Sequence, residues 1–194
     1  MGEPTVYIER EPLLAMLLAA VEVYHLECYG MLFGSRPTQR YPYYHISLAV
    51  VRQAVVRRTN MEIWTSARGE QRVSDFLGSV GGLYLPVIGD FHSHPAYHGV
   101  ERHPGPSEVD IKGMSSKDGR QQPLGVIINI IGKNPRPIPW RRLDKKTRLR
   151  GSLAGYIFDV TACHVNAESS TAVPLVIEVA PTARKALNRA SGQV

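Results

Sequence analysis

The chain of 194 residues is long enough to form one domain whose core needs no disulfide or metal merely to fold. A hydrophobic share of 43% with 21% charged residues excludes wholesale disorder, and two cysteines exclude a disulfide scaffold and a cysteine zinc cluster. The net charge of +6 is uneven: residues 133–194 hold 11 Lys or Arg against 4 acids (+7), whereas residues 1–132 hold 12 against 13 (−1). No apolar run approaches the roughly 20 residues that cross a bilayer. The acidic start, with Glu3, Glu9 and Glu11, is unlike a signal peptide. One cytoplasmic domain over residues 1–194 is expected.

In chain order, residues 9–26 read as a helix, with Pro12 in its first turn and Leu13, Met16, Leu17, Ala20 and Tyr24 on one face. Residues 28–33 form a short apolar segment closing on Gly34, suited to a buried strand, and the β-branched and aromatic residues of 43–56 predict another. Residues 70–83 read as a helix with Val73, Phe76, Leu77 and Val80 on its apolar face and Gly81-Gly82 at its end. Strands are expected over 85–94, 124–131, 152–165 and 173–179, and a terminal helix over 182–190. The basic stretch 133–150 reads as a solvated loop. Contact with nucleic acid or an acidic protein is the weaker reading, because Trp140 is its only aromatic residue. Helices and strands mix without strict alternation, which predicts an α/β sandwich with a mixed, mostly antiparallel sheet flanked by helices.

The chemistry concentrates in Asp90-Phe91-His92-Ser93-His94-Pro95. Histidines two positions apart on a strand share a face, within reach of one metal ion. Sixteen residues after His94 comes Asp110, in Pro104-Gly105-Pro106-Ser107-Glu108-Val109-Asp110. Two histidines and a carboxylate leave a fourth zinc position open, as hydrolytic sites do, and zinc lowers the pKa of water to about 7. Ser107 followed three residues on by Asp110 is also close to a capping box. The two readings are compatible, since a cap would hold Asp110 in the first turn of a helix facing the histidines.

His92-Ser93-His94-Pro95 followed by Ser107-x-x-Asp110 resembles the signature of the JAMM (MPN+) zinc metalloproteases. That family also has an upstream Glu-x-x-Gly-x-x-x-Gly segment, and Glu27-Cys28-Tyr29-Gly30-Met31-Leu32-Phe33-Gly34 matches it. The likeness covers most of residues 9–132 and implies the MPN (cytidine-deaminase-like) fold, one Zn2+ per chain on His92, His94 and Asp110, and two catalytic residues. Glu27 would be the general base and acid, and Ser107 would donate to the tetrahedral oxyanion. The implied activity is isopeptidase cleavage between the tail of ubiquitin or a ubiquitin-like protein and an amine, as in prokaryotic conjugation systems, some of them antiviral. The alternatives are a peptidase for a ubiquitin-like or sulfur-carrier precursor, a silent MPN-type scaffold, or a nucleic-acid-linked relative resembling the RadC proteins.

One departure from the family pattern concerns the loop between Pro95 and Ser107. Residues 96–106 number eleven where the family usually has six, and they include Tyr97, His98, Glu101 and His103. The insertion reads as a tolerated surface loop, as a substrate-contact or gating loop, or as a source of a fourth histidine ligand. Cys28, beside Met31 and Leu32, reads as a buried apolar residue rather than a nucleophile.

Overall fold

A computed structural model describes residues 3–59, 62–80, 86–95, 104–115, 124–134, 136–166 and 171–191. The strands are β1 (Thr5–Ile8), β2 (Tyr29–Ser35), β3 (Tyr43–Val51), β4 (Val55–Arg58), β5 (Ile63–Thr65), β6 (Val87–His94), β7 (Leu124–Lys133), β8 (Arg141–Leu143), β9 (Arg148–Leu153), β10 (Tyr156–Asn166), β11 (Thr171–Pro174) and β12 (Val176–Val179). The helices are α1 (Arg10–Glu22), α2 (Ala67–Ser79), α3 (Glu108–Ser115) and α4 (Pro181–Ala190), with a 3-10 turn at Asp144–Lys146. One large sheet runs β12-β1-β3-β2-β6-β7-β10-β9-β8, with β11 on β10. The β1–β12, β1–β3 and β6–β7 pairs are parallel and the other pairings antiparallel, so the sheet is mixed and mostly antiparallel, as expected. No helix among the described residues is long and apolar enough to cross a membrane.

The core lies between the sheet and α1, whose Leu13, Met16, Leu17 and Ala20 are buried as the helical spacing predicts. The helix stops at Glu22 rather than 26, because residues 23–26 form a turn with Tyr24 N–H on Val21 O and Leu26 N–H on Val23 O. Tyr24 leaves the predicted helix face to pack edge-on against Tyr156 at 5.3 Å, under the Lys133 ammonium. α2 begins earlier than predicted, at Ala67, because the Ser66 hydroxyl caps it by accepting from Gly69 N–H. Its predicted core face is not buried, and Phe76 is 64% exposed; the Gly81-Gly82 end lies outside the described residues.

Three expectations need correction, each for a tertiary reason. The 133–150 stretch is not a solvated loop: it contains the end of β7, all of β8 and the start of β9. Alternation along β9 sends Leu149 into the core and turns Arg148 and Arg150 onto Asp159 of β10, which is 2% exposed, while Arg142 pairs with Glu178. Trp140 is buried and stacks on Phe158. Residues 152–165 are two strands, not one, because Ala154 and Gly155 (φ 50 and 81) make the tight turn of a β9–β10 hairpin. Residues 173–179 also divide: β11 follows β10, and after Pro174 the chain crosses to pair β12 with β1. Strand β1 carries no expectation at all; it is only four residues long, yet Val6 and Ile8 are fully buried.

The glycines of the Glu27–Gly34 segment are explained by close approach. A Cβ at Gly30 would sit 2.1 Å from the Phe91 ring, and one at Gly34 would sit 1.8 Å from the His45 carbonyl oxygen. Gly30→Ala is therefore expected to lower stability by about 1–3 kcal/mol through overpacking of β2 against β6. Urea denaturation measures this, and an unchanged midpoint would show that the Phe91 contact is not tight.

Candidate metal centre

Strand β6 lies inside the sheet between β2 and β7, and its pleat projects His92 and His94 from one side. Ser93 points the other way and is fully buried. Its Oγ accepts from Cys28 N–H at 2.9 Å, and its own N–H donates to Cys28 O at 3.1 Å. This two-way link carries the chain just before β2 to the end of β6. Glu27 N–H donates to Thr59 O at 2.9 Å, so the backbone is held at Glu27 itself and at Cys28, and Glu27 is 6% exposed. It is not a surface carboxylate at a helix end, because α1 stops five residues earlier.

Helix α3 supplies the third member of the cluster. Ser107 N–H and Ser107 Oγ both donate to Asp110 Oδ2 at 2.7 Å, and Asp110 N–H donates to Ser107 Oγ at 3.2 Å. That is the expected capping box, and it holds Asp110 in the first turn. Ile111 and Met114 seat the helix on Cys163 and Val165 of β10 in a small apolar cluster. Upstream, the Pro104 carbonyl accepts from Asn129 Nδ2 at 3.0 Å and Thr161 Oγ1 at 2.5 Å. The longer connection thus re-enters the fold at a fixed point. Residues 96–103, with His98 and His103, lie outside the described residues.

The three side chains meet. His92 Nε2 is 3.4 Å from Asp110 Oδ1, His94 Nε2 is 3.4 Å from Asp110 Oδ2, and the two Nε2 atoms are 3.1 Å apart. One donor atom from each of His92, His94 and Asp110 can be chosen so that all lie within 4.8 Å of one another. A tetrahedral zinc with bonds of about 2.0–2.1 Å separates its ligands by about 3.3 Å, so the spacing and the nitrogen–oxygen donor set fit zinc. The cluster opens onto a cleft of about 290 Å³, also lined by Glu27, Glu62, Trp64 and Asp90. Ser107 is not among the described lining residues; its hydroxyl is engaged with Asp110.

Electrostatics match this geometry. Burial pulls the His92 pKa down, but the hydrogen bond and charge of Asp110, with Asp90 and Glu27 behind it, outweigh burial and raise it. Burial pushes Asp110 up, yet the two imidazoles and the Ser107 hydroxyl hold it far below the ordinary carboxylate range. Cys28 is buried and its thiol is pushed up to about 11 by that burial, which suits an inert core residue.

Sequence reasoning missed Ser93, Asn129 and Thr161, which touch the cluster only through backbone. Asn129 alone left a signal, as the one polar side chain between Leu124 and Ile131.

No protein-family model matches the chain, and no curated protein matches it. Among solved structures, the solution structure of protein DSY2949 from Desulfitobacterium hafniense is similar to it, with a TM-score of 0.51 and 16% identity over 91% of this chain and 93% of that one. At that identity the likeness concerns the fold alone.

The coupled shifts give a pH dependence. The raised His92 contributes stability below its unfolded pKa of about 6.5, and loses it as pH rises through the higher folded value. The depressed Asp110 contributes above its unfolded value of about 3.9 and loses it only in acid. In metal-free protein, the stability gap between wild type and Asp110→Asn should be widest between about pH 4 and 6.5 and narrow as pH rises further. Urea denaturation with chelator present measures it, and a gap independent of pH would contradict the assignment.

Proposed function

We propose that the protein is a zinc-dependent isopeptidase of the JAMM type with the MPN fold. Its substrate on this reading is the amide bond joining the carboxy-terminal tail of a ubiquitin or ubiquitin-like protein to an amine. The observation that carries the reading is the convergence of His92 and His94 of β6 with Asp110 of α3, at a cleft that His92, Asp110 and the buried Glu27 line. The order and local spacing of Glu27, His92-Ser93-His94-Pro95 and Ser107-x-x-Asp110 support the family.

Zinc held by His92, His94 and Asp110 would supply Lewis acidity and a nucleophilic water at neutral pH. Glu27 takes the proton from the attacking water on its carboxylate and returns it to the leaving nitrogen. Glu27 is buried and lines the same cleft as His92 and Asp110, the place a proton carrier between two steps must occupy. Ser107 has two possible duties. Its hydroxyl donates to Asp110 Oδ2, so stabilising an oxyanion would require it to turn away from that oxygen.

Glu27→Gln should abolish turnover of an amide conjugate, by at least about 100-fold, while zinc stays bound. Zinc loss in Glu27→Gln would make Glu27 a ligand, and near-normal turnover would remove it from catalysis. Ser107→Ala separates the two duties of that residue. A fall in kcat with zinc affinity unchanged identifies an oxyanion donor, and a fall in zinc affinity identifies a group that holds Asp110. Cleavage of a carboxy-terminally extended precursor but not of the conjugate would favour the processing-peptidase alternative. Zinc-free, inactive protein would favour the MPN-type scaffold.

A further inference from the structure

We propose that Asn129 and Thr161 form a clamp on the Pro104 carbonyl that sets the position of Asp110, and so tunes metal affinity from outside the ligand set. The inference rests on the metal-centre reading above. Both side chains donate to the same carbonyl, from β7 and from β10. Asn129 stands opposite His94 in the parallel β6–β7 register, so the strand that fixes one ligand is paired with the strand that fixes the approach to another.

The chain between clamp and ligand is stiff. Pro104 and Pro106 each hold φ near −65°, and Pro106 also restricts Gly105. The capping box then takes over from Ser107 to Asp110. A carbonyl fixed at residue 104 is therefore conveyed to the carboxylate at residue 110 with little slack. Without the clamp, the connection from Pro95 would set the entry of α3 only loosely, since it is five residues longer than the family's usual spacing.

A purely structural role for Asn129 fits poorly. Val126, Ile127, Ile128 and Ile130 around it are buried and apolar, and an apolar side chain would complete the strand. Asn129 is instead 5% exposed, and its Oδ1 has no hydrogen-bond partner among the described residues. A buried acceptor left unpaired is a cost to the fold, and such conflicts concentrate at functional positions.

The test is zinc affinity, measured by competition with a chromophoric chelator on the full chain, alongside the visible spectrum of the cobalt(II)-loaded protein. Thr161→Val together with Asn129→Leu should weaken zinc by about tenfold or more and change the cobalt spectrum, with the far-ultraviolet circular dichroism retained. Thr161→Val alone should weaken zinc by a smaller factor, and Thr161→Ser, which keeps the hydroxyl, should restore wild-type affinity. A folded double variant with wild-type zinc affinity and cobalt spectrum overturns the clamp. Where the double variant fails to fold, the Thr161→Val and Thr161→Ser pair decides, and equal affinities overturn it. Wild-type protein that binds no zinc is a different result: it removes the metal-centre reading and the clamp with it.

Discussion

The Asp110 carboxylate is held from two sides, and the geometry of the candidate centre depends on that double hold. Toward its own helix it accepts from the backbone and hydroxyl of Ser107, closing the first turn of α3. Toward β6, each of its oxygens faces a different imidazole. The two sets of contacts act on the same side chain. Together they select one rotamer, so the conformation that caps the helix is also the one that meets the histidines. The raised His92 and the depressed Asp110 are the electrostatic record of the same contact.

The sheet supplies the other constraints. A pleated strand inside it sends His92 and His94 to one side and Ser93 to the other, where Ser93 fastens the residue after Glu27. The positions of Glu27 and of the two histidines are thus set by one strand acting through both of its faces. Charge is divided in a comparable way. Glu27, Glu62, Asp90 and Asp110 all line the cleft of a chain whose net charge is +6. Three arginines of the basic stretch are engaged elsewhere, Arg148 and Arg150 on Asp159 and Arg142 on Glu178. The cleft and the basic edge are separate features, and the second is part of the sheet.

Much of this could be read from the sequence where local chemistry decides the outcome. The apolar face of α1, the face shared by His92 and His94, and the capping box at Ser107 all follow from periodicity and short-range hydrogen bonding. Errors fell where distant contacts decide. Tyr24 leaves its helical face because Tyr156 and Lys133 receive it. The 133–150 stretch becomes strand because Asp159, on the next strand, takes two of its arginines. The turn between β8 and β9 is made by Asp144, Lys145 and Lys146, all with positive φ, where sequence rules look for glycine. Asn129 and Thr161 act on a backbone carbonyl, and no spacing rule reports such a partner.

Metal content of the purified protein decides whether His92, His94 and Asp110 form a zinc centre. Wild-type chain under zinc-replete conditions should carry about one zinc, and Asp110→Ala should carry almost none while keeping its fold, since three protein ligands are the minimum of a catalytic zinc site. Wild-type protein free of zinc, or an Asp110→Ala variant that binds it as tightly, would contradict the account.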